Sequence, residues 1–148
     1  MVLERMNTHG KRGFTLVELL AVLVILGVLA AIVVPKFVDA GNRSREAALK
    51  SDLTILRDAV KVFRNDTGAY PRRLNDLAAT TAPASGLDKW GARQTIDSKD
   101  WMGPYIEKIS NDPIAKKAFK YVTTAPDVGK VQSSATGTAL DGTSYQDW

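Results

Sequence analysis

The sequence predicts an α+β protein: one long, kinked N-terminal helix, transmembrane in its first half and amphipathic in its second, packed on a small antiparallel β-sheet. Three observations carry this reading. An apolar run from Phe14 to Val34 is interrupted only by Thr15, Glu18 and Gly27. Beyond it, Leu49, Leu53, Leu56, Val60 and Phe63 recur at steps of three and four, one stripe of a helix. After Gly68 that period disappears, and short alternating segments follow between Pro, Gly and Asp punctuation.

The chain has 148 residues, enough for one compact domain with an appendage. With no cysteine, disulfides, thiolate nucleophiles, iron–sulfur clusters and Cys-ligated zinc are excluded. The one histidine is His9, so His-based catalysis or metal binding would have to draw on the first ten residues. The formal charge of +4 owes half its excess to Arg5, Lys11 and Arg12 against Glu4. The remaining basic residues, including Arg72-Arg73 and Lys116-Lys117, are scattered, so nucleic acid is not expected as the main partner.

Residues 1–13 are short, polar and basic and end in Lys11-Arg12-Gly13. The segment 14–34 would be about 31 Å long as a helix, matching a hydrocarbon core of roughly 30 Å. It can span a bilayer, with the basic leader in the cytoplasm and everything after Val34 outside. Three readings compete for this segment: a secretory signal cut after Val38-Asp39-Ala40, an uncut anchor, and an anchor trimmed at its front end. Glu18 bears on the choice, because a charge inside an apolar run is costly and calls for a partner. The sequence supplies one only if the chain is cut between Gly13 and Phe14, since a new α-amino group then lies one helical turn away, on the same chain or a neighbour. The bland alternative leaves Glu18 at the interface, within reach of water and headgroups.

The segment Lys11-Arg12-Gly13-Phe14-Thr15-Leu16-Val17-Glu18-Leu19-Leu20 resembles the N-terminal signature of type IV prepilins and pseudopilins. The resemblance implies cleavage after Gly13 by a prepilin peptidase that also methylates Phe14. It implies a role for Phe14 and Glu18 in setting each subunit against its neighbour in a helical filament. Gly27 and Pro35 fall where that family places its helix-weakening residues. Independently of family, an interior glycine costs about 1 kcal/mol, and proline removes a hydrogen bond and clashes with the preceding turn. The stretch between them is the one expected to bend or unwind, in a setting where a neighbour or water satisfies the backbone.

The amphipathic half, 35–66, carries the Leu49–Phe63 stripe. Glu46 and Lys50 form an expected exposed (i, i+4) pair, Asp58 and Lys61 an (i, i+3) pair. Thr67-Gly68 supplies the stop, with Gly68 placed for a left-handed cap. The alternative, an anchor and a separate helix broken at Pro35, has the same periodicity. The C-terminal region, 67–148, opens with a short helical segment holding Leu74 and Leu77. A Thr80–Gly86 loop follows, and residues 87–104 read as a structured loop. Strands are expected at Lys117–Thr124 and Gly129–Ala135. Trp90, Trp101, Tyr105 and Trp148 are expected to cover the sheet rather than bind a ligand.

Thr67-Gly68-Ala69-Tyr70-Pro71, Gly103-Pro104-Tyr105-Ile106, Asp112-Pro113 and Tyr121 look like the corresponding features of the major pseudopilin of type II secretion. That resemblance implies a glycine-containing turn after the Asp-Pro and an acidic C-terminal loop holding calcium. The sequence departs at both places. Ile-Ala-Lys-Lys follows Asp112-Pro113, and the tail 137–148 has only Asp141 and Asp147 as acidic side chains. Calcium takes six to eight oxygens, so a site at Asp141 and Asp147 would be weak and completed by carbonyls and water; no other cofactor is expected.

The leading expectation is therefore a structural subunit, not an enzyme. It would be a single-pass inner-membrane precursor, trimmed at Gly13 and assembled through its N-terminal helix into an extracytoplasmic filament. The implied partners are other copies of itself, the prepilin peptidase/methyltransferase, an inner-membrane assembly platform and membrane lipid. The alternative is a membrane-anchored binding module for DNA or an exported substrate. An anchored enzyme would have only carboxylate, Lys, Tyr or Ser/Thr chemistry once residues 1–13 were removed.

Overall fold

A computed structural model of the chain describes residues 13–148. The expected leader, apart from Gly13, lies outside the described residues, as do His9, Lys11 and Arg12. The chain divides into two compact units, one ending at Ala40 and the other running from Gly41 to Trp148.

Helix α1 spans Leu16–Thr67, 52 residues, with Pro35 inside it. Its start is a capping box: the Thr15 hydroxyl accepts from the Glu18 N–H at 3.2 Å, while the Glu18 carboxylate accepts from the Thr15 N–H at 2.9 Å. The helix continues through Gly27, Pro35 and Gly41. The one-helix expectation holds, and the alternative of a separate helix beginning after Pro35 does not. Up to Ala40 every described residue is solvent-exposed, including the large apolar side chains on all sides of the helix.

From Gly41 onward α1 has two faces. Glu46, Leu49, Leu53, Leu56, Ala59, Val60 and Phe63 are buried, the predicted stripe with Glu46 and Ala59 added. Each fully buried Leu or Phe contributes roughly 1.5–3 kcal/mol. Gly68 ends the helix in the left-handed conformation, φ +70°, and its N–H donates to the Arg64 carbonyl at 2.8 Å. Thr67 closes the last turn through its hydroxyl on the Phe63 carbonyl, 2.8 Å away.

The rest of this unit wraps the stripe. A 3-10 turn, Leu74–Ala78, buries Leu74 and Leu77. Strands β1 (Ser85–Leu87) and β2 (Arg93–Thr95) form one antiparallel hairpin, and β3 (Lys120–Tyr121) and β4 (Val131–Gln132) another. The second hairpin is the expected one, shortened to two residues per strand. The first corrects the expectation of a loop over 87–104. Its turn is built by Asp88, whose Oδ1 accepts from the Trp90 and Ala92 N–H groups, each at 2.8 Å, with Gly91 at φ +86°. Three residues per strand are too few for alternation to show.

The two hairpins meet the helix through a common core that adds Ala69, Ile96, Phe119 and Val131 to the stripe. Arg57 donates from Nε and Nη2 to the Val131 carbonyl at 3.1 and 2.9 Å, tying β4 to α1. The Tyr121 hydroxyl donates to the Pro71 carbonyl at 2.7 Å. Tyr105 meets Phe63 edge-on, ring centroids 5.4 Å apart, and Trp101, Tyr105 and Trp148 pack against the core. Trp90 does not: it stands 69% exposed at the tip of the β1–β2 turn.

Candidate functional site

Two places carry the residues singled out by the sequence: the start of α1 and the C-terminal loop. At the first, Gly13 and Phe14 precede the helix outside any regular element, and Phe14 is 83% exposed. Glu18 has a partner within its own chain, which sequence reasoning did not foresee. The Thr15 N–H and hydroxyl both donate to the same oxygen, Oε2, each at 2.9 Å. The partner is thus present without any cut. The signal was legible as Thr-x-x-Glu at the head of an apolar run, a capping box whose glutamate neutralises free N–H groups at the positive end of the helix.

Gly27 and Pro35 both sit within regular helix. A Cβ at Gly27 would meet nothing within 4 Å, so no neighbour in its own chain requires glycine there. At Pro35 the backbone bond to the Ala31 carbonyl is missing by covalent necessity.

The C-terminal loop, from Gly137 to Trp148, is fastened to α1. The Glu46 Oε1 accepts from the Leu140 N–H at 2.9 Å and from the Tyr145 hydroxyl at 2.7 Å. That hydrogen bond, with burial, pushes the Tyr145 phenol up to about 12. One turn along, the Lys50 ammonium lies 3.4 Å from Asp141 Oδ2 and 4.1 Å from the Trp148 ring centroid. Glu46 and Lys50 therefore turn to the loop, correcting the expectation that they pair with each other on an exposed face. The Asp58–Lys61 pair does form, at 2.8 Å.

Asp141 is fully engaged. Its Oδ1 accepts from the Thr143 N–H at 3.0 Å and hydroxyl at 2.6 Å, and these bonds hold its carboxyl below the usual carboxylate range. Asp147 lies in the terminal 3-10 turn, Tyr145–Asp147, an exposed residue. Among the described residues no group of three or more His, Cys, Asp or Glu could hold a metal ion. The donor set does not fit calcium: of the two carboxylates, one faces an ammonium and accepts from a hydroxyl and an amide.

The turn after Asp112-Pro113 is organised by a buried carboxylate. Asp112 is 0% exposed. Its Oδ1 accepts from the Ile114 and Ala115 N–H groups at 2.8 and 2.9 Å, and its Oδ2 from the Ser134 N–H at 3.1 Å and the Ser133 hydroxyl. Burial alone would raise its pKa; the four donors outweigh burial and hold it below the usual carboxylate value. The left-handed residue that closes this turn is Lys116, φ 58°. It occupies the conformation for which the expected glycine is suited.

Comparison with known proteins places these features. The prokaryotic N-terminal methylation motif matches residues 8–34, and the type II secretion system protein G family matches residues 36–144. The chain is 30% identical to the type II secretion system core protein G of Escherichia coli K12, over 81% of this chain and 85% of that one. It is 30% identical to the core protein G of Pseudomonas aeruginosa, over 73% and 71%. The type IV major pilin protein PilA of Myxococcus xanthus is 35% identical over 68% of this chain and 44% of its own length. No solved structure matches the chain. A methylation motif over the apolar start of α1, and a protein G match over residues 36–144, make this chain a member of the type II secretion system protein G family.

Proposed function

We propose that the chain is the structural subunit of a pilus-like filament of a type II secretion system, with an architectural rather than a catalytic role. It is made as a membrane-inserted precursor, cleaved after Gly13, methylated at Phe14 and assembled through the first half of α1. The observation that carries this reading is the exposure of that half. From Leu16 to Val34 the helix is, Glu18 apart, apolar on every side and exposed throughout. A helix of that kind is stable only in lipid or among other such helices.

Lipid satisfies it in the precursor, and neighbouring copies satisfy it in a filament. Gly27, with open space where its Cβ would stand, permits close approach of a second helix. Gly27 and Pro35 together make this stretch the cheapest part of α1 to unwind on assembly. The leader lies in the cytoplasm, with the Gly41–Trp148 unit on the far side of the inner membrane. The processing peptidase, the methyltransferase and the assembly platform are the partners this route requires.

The mature N-terminus, read by intact-protein and peptide mass spectrometry on material from the host membrane, tests the proposal. A chain beginning at N-methylated Phe14 is the expected result. A chain beginning at Gly41, or one retaining Met1, would overturn it.

A further inference from the structure

We infer that the C-terminal loop of this subunit is closed onto α1 without a metal ion, by the Glu46 carboxylate with Lys50 in support. The inference concerns the Gly41–Trp148 unit alone and does not rest on the filament reading. Glu46 is a carboxylate only 9% exposed. Among the described residues it has two donors, and both come from the loop: the Leu140 N–H and the Tyr145 hydroxyl, at either end of the turn that Asp141 and Gly142 make. A buried carboxylate without those donors would be heavily penalised, so opening the loop is opposed by the cost of stranding Glu46.

Lys50 supplies the positive charge at the loop's acidic turn. Its ammonium stands between the Asp141 carboxylate and the Trp148 ring. Trp148 in turn donates from Nε1 to the Thr143 hydroxyl at 2.7 Å and meets Tyr145 edge-on, centroids 5.3 Å apart. A divalent cation at Asp141 would have to displace this ammonium and the Thr143 donors, and would gain one carboxylate for doing so. The Lys50–Asp141 pair is itself half exposed and contributes little alone. The weight rests on Glu46. Elsewhere the loop is tied to β4 by Gln132 Nε2, which donates to the Gln146 carbonyl at 3.0 Å, and closes on itself through the Ala139 N–H on the Thr143 carbonyl at 2.8 Å.

The test uses the full chain in detergent, with thermal melting and carboxypeptidase digestion of the tail measured in a calcium chelator and in millimolar calcium chloride. Wild type should give the same Tm and the same digestion rate in both. Glu46→Ala should lower Tm by about 5–10 °C and speed tail digestion about tenfold, equally in both. Should Glu46→Ala fail to fold, Tyr145→Phe removes only one of the two donors. It should speed tail digestion severalfold in both buffers. A wild-type Tm that falls in chelator and is restored by calcium would overturn the inference, as would a Tyr145→Phe or Glu46→Ala tail as protected as wild type.

Discussion

Asp112 offers the sharpest test of how the C-terminal unit is held together. Replacing it with asparagine preserves size and one acceptor oxygen while turning the other into a donor. The Oδ1 position, facing the Ile114 and Ala115 amides at 2.8 and 2.9 Å, can be kept by the amide oxygen. The other position then presents an NH2 to the Ser133 hydroxyl and the Ser134 N–H. The hydroxyl can rotate and accept; the backbone N–H cannot. One part-buried donor is therefore stranded and the two retained bonds lose their charge assistance, together about 2 kcal/mol. For a unit of this size that is roughly an 8 °C drop in Tm. Acid adds a second readout. The folded-state pKa of Asp112 lies below its ordinary value, so its contribution is full above that value and is lost as pH falls through the folded pKa. The asparagine variant has no such contribution to lose, so the gap between it and wild type should narrow as pH falls below about 4. A variant that melts with wild type at neutral pH, or a gap that stays constant in acid, would refute this account of the Asp-Pro turn.

Two further outcomes follow from local geometry. Lys116→Gly should raise Tm, by the equivalent of about 1 kcal/mol, because a left-handed φ of 58° strains any residue with a Cβ; chemical denaturation would show the midpoint moving up with unchanged slope. Stability should also be lost in alkali: Tyr145 has its pKa raised from 10.0 to about 12, chiefly by its bond to Glu46. A raised pKa gives a contribution that is complete below the ordinary value and lost between it and the folded one, and Tyr145→Phe should flatten that part of the curve in a pH series of melts.

The helical stripe was legible because its period repeats over many turns. Leu49, Leu53, Leu56, Val60 and Phe63 are buried as their spacing demands, and Thr67-Gly68 stops the helix where a left-handed residue is needed. The hairpin of β1 and β2 was not legible, since its strands are three residues long and its turn depends on one Asp88 carboxylate. Glu46 and Lys50 show a second limit. Their spacing fits an exposed pair, but their partners lie more than ninety residues away, and no local pattern announces a contact of that range. The same holds for Asp112 and Ser133, which chain folding brings together across β3 and β4. The capping box at Thr15 is different in kind. Thr-x-x-Glu at the head of an apolar run is a local signal, and it gives Glu18 a partner besides the α-amino group that cleavage would create.

The cap sharpens the proposed part of Glu18 in assembly. Within one chain, both bonds from Thr15 fall on Oε2. The glutamate is thus satisfied enough to sit at the head of an apolar helix, while Oε1 takes neither of these bonds and the residue is exposed. A carboxylate carries about four acceptor positions, so capping and a bond to an amine on a neighbouring copy do not compete. The two roles need different properties: the cap needs an oxygen, and recognition of a charged amine needs the negative charge. Glu18→Gln should therefore keep the helix start, membrane insertion and trimming, and still lose most filaments. Thr15→Ala should weaken the cap yet leave filaments, because the charge survives. Filament counts by electron microscopy beside immunoblots of the trimmed chain would separate the two. Normal filaments from Glu18→Gln would leave Glu18 as a helix cap and nothing more.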